Sequence, residues 1–206
     1  MSDDDAAVQD LTTKGRATRQ RIVLAAAELM WEQGVAATSL QDVQQATRVS
    51  GSQLYHYFKD KASLVHAVVA CQRDLALERQ GPWLSQMDSL DGIRAWRDYV
   101  VSASQRRQCR GGCPIGTLAS ELSDIDPEAR SDLAEAFARW SSAIRAGLEA
   151  MQARGDLAAA ANPTRLSYAL LAAGEGGLLL SKAARDPAPL EAALDTVIDR
   201  IAELTR

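Results

Sequence analysis

Thr38-Ser39-Leu40-Gln41-Asp42-Val43-Gln44-Gln45-Ala46-Thr47-Arg48-Val49-Ser50-Gly51-Ser52-Gln53-Leu54-Tyr55-His56-Tyr57-Phe58-Lys59-Asp60-Lys61-Ala62-Ser63-Leu64 is the stretch on which the reading of this chain turns. Thr38 stands before Leu40 and Val43 with Gln41 three residues on, and Ser50 stands before Leu54 and Phe58 with Gln53 three residues on. Each is the pattern of a capping box, in which a hydroxyl and a side chain three residues later satisfy each other's backbone N–H groups. The two boxes predict short helices over about 39–46 and 51–57, joined only by Thr47, Arg48 and Val49. Helices this brief, separated by so short a turn, must cross steeply, which is helix-turn-helix spacing.

Working outward, Ile22, Ala25, Ala26, Leu29 and Met30 repeat at helical spacing, and Gly34 follows as a C-terminal cap, giving a first helix over roughly 15–33. Beyond Asp60, Leu64, Val68, Cys71 and Leu75 define a fourth helix from 61 to about 79, closed by Gly81 and Pro82. Further helices are expected over 89–107, 115–123, from Asp126-Pro127 to about 153, from Asn162-Pro163 to about 184, and from Pro187 to about 205. No strand pattern or repeat interrupts them. The expected fold is therefore all-α with about nine helices: a disordered acidic tail over 1–13, a helix-turn-helix domain over 14–60, and a second helical domain over 61–206.

Charge distribution refines this picture. The chain of 206 residues is 47% hydrophobic and carries a net charge of −4, an ordinary balance for a globular protein. Residues 1–13 hold four aspartates. Residues 14–61 hold seven basic against four acidic side chains, a local +3, and the remainder is net −3. A basic segment on an acidic body fits nucleic acid at one end only. No run of about 20 apolar residues suggests a membrane span, and the Asp-rich start is unlike a signal peptide. These features point to a cytoplasmic protein with no membrane partner.

The quoted stretch, with Leu54-Tyr55-His56-Tyr57-Phe58 followed three residues later by Lys61, resembles the DNA-binding domain of the TetR family of repressors. The resemblance covers about 50 residues with the first helix, and the nine-helix plan fits it too. One departure is Arg48, where that family usually has glycine in the turn; a non-glycine residue at positive φ costs roughly 1–2 kcal/mol. The resemblance implies a homodimer that binds a palindromic double-stranded DNA operator and is released by a small-molecule effector.

A recognition helix must present small or hydrogen-bonding side chains near its N-terminus to enter the major groove. Ser50, Gly51 and Ser52 allow that approach, Gln53 can pair with adenine or serve only the cap, and Tyr55 and His56 reach phosphates or base edges. Thr38 and Ser39 open the preceding helix, whose N–H groups favour a phosphate. Lys61 adds a full charge.

The rest of the chain is less specific. Leu166, Leu170 and Gly177 on the eighth helix, and Leu190, Leu194, Val197 and Ile201 on the ninth, form stripes that suit the four-helix dimer interface implied by the resemblance, or packing within one subunit. Cys71, Trp96, Tyr99, Phe137, Trp140, Tyr168 and Glu175 are the candidate effector-binding residues. The aromatic ones supply apolar surface, and Glu175 is a carboxylate inside an apolar run.

Cys109 and Cys113 flank Arg110-Gly111-Gly112, so a thiol-based redox sensor is the alternative reading. No metal and no cofactor is expected, because the spacing lacks further ligands. No nucleophile with its base suggests an all-helical enzyme. Gly112-Cys113-Pro114-Ile115-Gly116-Thr117-Leu118 resembles a motif from one branch of the family, which includes regulators responding to flavonoids and other drug-like aromatics.

Overall fold

The computed structural model describes residues 11–205. Among them are nine helices: α1 Thr13–Gln33, α2 Leu40–Thr47, α3 Gly51–Tyr57, α4 Lys61–Leu84, α5 Leu90–Arg106, α6 Pro114–Leu122, α7 Pro127–Arg154, α8 Pro163–Ala184 and α9 Ala188–Glu203. The tail expected over 1–13 falls largely on residues outside those described. Thr13 already belongs to α1, because the Thr12 hydroxyl caps the helix by accepting from the Gly15 N–H at 3.1 Å.

Two compact units divide the chain at Gln72 and Arg73. The first holds α1 to α3 and the opening half of α4. Ile22, Val23, Ala26, Ala27 and Met30 line the buried face of α1, and Val43, Leu54, Phe58, Leu64 and Val68 complete the core. Burying such a side chain fully stabilises by about 1.5–3 kcal/mol. Gly34 ends α1 at φ 93°, its N–H bonded to the Met30 carbonyl. The Arg19 guanidinium sits 5.0 Å from the centre of the Phe58 ring, a cation–π contact at the edge of this core.

The second unit contains the end of α4 and α5 to α9. In contact order, α5 lies against α9, α9 against α8, α8 against α7 and α7 against α6. Helix α4 continues to Leu84 with Pro82 inside it, past the predicted stop near residue 79. A proline removes only one helical bond so close to a C-terminus. The Ser85 hydroxyl and the Gln86 amide then donate to the Pro82 carbonyl at 3.1 and 2.8 Å.

The residues of the expected dimer stripes pack within the single chain. Leu166, Leu170, Gly177, Leu190, Leu194 and Ile201 are all buried within the single chain, and Val197 is half-buried while Ile198 takes the inward position. A Cβ on residue 177 would stand 2.8 Å from the Leu190 Cα, so glycine lets the α8 and α9 backbones approach there. The spacing read as an interface between subunits serves this helix pair, because seam periodicity is the same whichever helix fills it.

Candidate nucleic-acid interface and ligand-binding residues

The helix-turn-helix is built from two capping boxes. Ser50 and Gln53 form the second as expected: the Gln53 N–H donates to the Ser50 hydroxyl at 3.2 Å, and the Ser50 N–H donates to Gln53 Oε1 at 3.0 Å. The first is shifted by one residue. Ser39 is the cap of α2, exchanging bonds with Asp42. Thr38 is only 1% exposed, and its hydroxyl donates to the Gly34 carbonyl at 2.8 Å. Its side chain is thus occupied in closing the α1–α2 connection, which corrects the expected cap. Sequence could not separate the two, since Thr38 and Ser39 are adjacent hydroxyls with Gln41 and Asp42 each at the right offset.

Between the helices, Arg48 adopts φ 55°, ψ 28°. The turn keeps its left-handed geometry and carries the strain that a non-glycine residue brings. Leu54 and Phe58 point into the core, leaving Ser52, Gln53, Tyr55 and His56 exposed and Gly51 half-exposed. Tyr55 is 60% exposed. His56 packs edge-on against Tyr57, with ring centres 5.0 Å apart. The Gln53 Oε1 is held by the cap, which leaves its Nε2 amide and the Ser52 hydroxyl, 3.0 Å from that of Ser50, as the outward hydrogen-bonding groups at the start of α3.

Electrostatics at α2 differ from the expected bare N-terminus. Hydrogen bonds from the Ser39 side chain and backbone, with a smaller contribution from the Lys61 charge, hold the Asp42 carboxyl below its usual range. The first turn of α2 therefore already has an anion. Lys61 donates from Nζ to the Ala36 carbonyl at 3.3 Å, which fixes its ammonium beside the α1–α2 connection.

The expected effector residues are only partly brought together. Cys71 belongs to the first unit, where its sulfur accepts from Gln20 Nε2 at 3.9 Å. Tyr168 is 62% exposed on α8 and faces away from the core. The remainder lie in the second unit. Trp96 is buried, donates from Nε1 to Gln80 Oε1 at 2.8 Å, and reaches within 3.7 Å of a Cβ built on Gly174. Tyr99 stacks on Trp83 at 3.8 Å and 19°. Phe137 and Trp140 lie 6.3 Å apart on α7. Trp140 is buried, and its indole N–H has no acceptor among the described residues, an arrangement that costs about 1–3 kcal/mol.

Glu175 of α8 lies beside Cys113 and Gly116 at the start of α6. Burial pushes its carboxyl above the ordinary range, opposed by a hydrogen bond with the Cys113 thiol. Burial first, and then the Glu175 charge, push Cys113 well up in turn. A thiol held protonated is a poor nucleophile, which weighs against the redox reading at this cysteine. Cys109 is buried as well. Trp83, Gln80, Cys113 and Gly116 are the neighbours that sequence reasoning left out. The Gly112-to-Leu118 motif was the signal that carried two of them.

Comparisons with known proteins agree with this architecture. Residues 22–68 match the family model described as bacterial regulatory proteins, tetR family, and residues 89–197 match the tetracyclin repressor-like C-terminal domain. An HTH-type transcriptional regulator of Mycobacterium tuberculosis is 31% identical over 186 residues, covering 84% of this chain and 88% of its own. The HTH-type transcriptional repressor DhaR of a Mycobacterium species is 25% identical, covering 89% of this chain and 91% of its own. A TetR transcriptional regulator of Chloroflexus aurantiacus superposes with a TM-score of 0.85 at 29% identity, covering 95% of this chain and 99% of that one. The capped α2–turn–α3 element, the helical second unit and these matches together place the chain in the TetR family of DNA-binding transcriptional repressors.

Proposed function

We propose that this protein is a homodimeric repressor that reads a palindromic operator with α3 and is released by a small, mainly apolar effector bound in its second unit. The observation carrying the DNA reading is the exposed face of α3, where Ser52, Tyr55 and His56 project from a doubly capped helix anchored by Leu54 and Phe58. Residues 14–61 supply a local +3, which favours the phosphate backbone. Ser39, Ser50, Gly51 and Gln53 shape the approach, and Lys61 holds a phosphate. Residues 14–60 act as the DNA-binding part and 61–206 as the effector and dimerisation part.

The dimer reading rests on the outward side of α8. Tyr168, Ala172, Gly176, Leu179, Leu180 and Ala183 are exposed there at helical spacing, Leu179 at 66%. An apolar stripe of that extent on one helix marks an interaction surface, and a second copy of the same helix is its occupant. Trp96, Tyr99, Phe137, Trp140 and Glu175, with Cys113 added, are the effector residues. A thousandfold release from DNA requires about 4 kcal/mol of differential binding between the two conformations.

The test is binding to DNA from the region upstream of the protein's own gene, with and without planar aromatic compounds, followed by mobility shift and by sedimentation. Release with the dimer intact is expected. Release by oxidants or metal ions alone would overturn the effector reading.

A further inference from the structure

A groove of about 370 Å³ opens where α5 ends and the α8–α9 corner meets it. It shares no residue with the proposed effector region. Its lining is Gln105, Gln108, Cys109, Arg110, Arg185 and Pro187, and its volume falls in the range of small-molecule sites.

Two features set this groove apart. The first is charge. Arg97 and Arg154 of the same unit are engaged by Asp195 and Asp88, whereas Arg110 and Arg185 have no carboxylate within ion-pair range among the described residues. Arg185 spends one N–H on the Cys109 carbonyl, Nη1 to oxygen at 3.3 Å, and keeps the rest of its fork. Asp186 accepts from the Ala188 N–H at 2.9 Å and Glu191 from Gln105 Nε2 at 3.4 Å, and neither forms an ion pair with Arg110 or Arg185. The second is backbone geometry. Gln108, Cys109 and Arg185 have φ of 54°, 55° and 56°, and Arg48 is the one other non-glycine residue at positive φ among those described. Arg185 is the left-handed C-cap of α8, and Gln108 and Cys109 close the turn that ends α5, so these φ values turn the chain at two helix ends beside the groove. Around the hollow stand two guanidiniums without a carboxylate partner and two amides, and Cys109 and Pro187 complete its lining.

We infer that this groove binds a small carboxylate with an apolar body. The guanidiniums take the carboxylate, a geometry for which the arginine fork is suited. The Gln108 amide offers a further donor, and the apolar body lies over Pro187 and the Cys109 side.

The probe is sodium benzoate, titrated calorimetrically into the full-length protein at millimolar concentration, with benzamide as its uncharged counterpart. Benzoate should bind one per chain and benzamide should not. Arg110→Ala and Arg185→Gly should each weaken benzoate about tenfold. The second variant suits the left-handed backbone, so it folds without added strain. Arg165→Ala, which removes an exposed arginine elsewhere on α8, should leave binding unchanged. Equal binding of benzamide, wild-type affinity in either groove variant, or equal loss in Arg165→Ala would overturn the assignment. Loss in Glu175→Gln with retention in the groove variants would place benzoate in the effector region and overturn it as well. Release from DNA is not read in this experiment, so its outcome is separate from that of the effector proposal.

Discussion

The Glu175 carboxyl reaches residue 116 so closely that a Cβ there would stand 2.5 Å from its Oε2. Glycine at 116 is what allows the acid of α8 to lie against the start of α6 and meet the Cys113 thiol. Gly116→Ala should displace the carboxyl and destabilise the protein by about 1 kcal/mol, measured by urea unfolding. Unchanged stability would mean that the Glu175 side chain swings away freely.

Glu175 also gives a pH dependence with a definite sign. Its folded pKa is raised above the ordinary 4.5 by burial, so the folded state holds the proton more tightly than the unfolded chain. Stability from this group is complete below the ordinary carboxyl range and declines as pH rises through that range toward the folded value. Glu175→Gln removes the decline. Thermal melts should show the variant gaining over wild type at neutral pH and the gain shrinking near pH 4. The same variant should change effector affinity more than DNA affinity. A gain that is constant with pH would remove Glu175 as its source.

Arg48 invites the opposite kind of substitution. Arg48→Gly should relieve the left-handed strain of roughly 1–2 kcal/mol, less the extra freedom that glycine gives the unfolded chain, for a net gain of about 0.5–1 kcal/mol. Chemical denaturation checks this. A loss of stability would show that the Arg48 side chain supports the turn.

At the DNA, Lys61→Ala should weaken binding to all duplex sequences about equally and lower the log–log salt slope by about 1 per half-site. Ser52→Ala and His56→Ala should instead relax preference at particular bases. Fluorescence anisotropy at several salt concentrations, with a duplex selected from a random pool, separates the two behaviours. An unaltered slope would take Lys61 off the phosphate.

Dimer and core are separated by two substitutions. Leu194 is fully buried, so Leu194→Asp should unfold the subunit, an uncompensated charge in the interior being strongly destabilising. Leu179 is exposed on α8, so Leu179→Asp should leave helicity intact by circular dichroism while sedimentation shows monomers. Dimers persisting in the second variant would move the interface elsewhere.

Reading the sequence placed the helices well because each boundary carries a chemical mark: Ser50 with Gln53, Gly34 and Gly155 past their helices, Pro163 at the first turn of α8. Where two marks competed it went astray, as with Thr38 beside Ser39 and Pro82 near the end of α4. Site residues were harder. Periodicity reports that Leu190 and Leu194 face something apolar but not whether that partner is α8 of the same chain, and the aromatic character that made Tyr168 an effector candidate says nothing of its exposed place on α8. Cys71 shares a helix with the second unit yet contacts α1. The partnership of Glu175 with Cys113 joins positions distant in sequence, and no local pattern encodes it.

The indole N–H of Trp140 is buried and has no acceptor among the described residues. A molecule that brings an oxygen to it displaces no protein partner. Such a guest gains a hydrogen bond whose donor was stripped of water when the chain folded, so even a weakly basic carbonyl or ether should be discriminated from a hydrocarbon of the same shape. Its arrival should shift the emission of Trp140, and Trp96, whose N–H is already engaged by Gln80, offers a second reporter in the same unit.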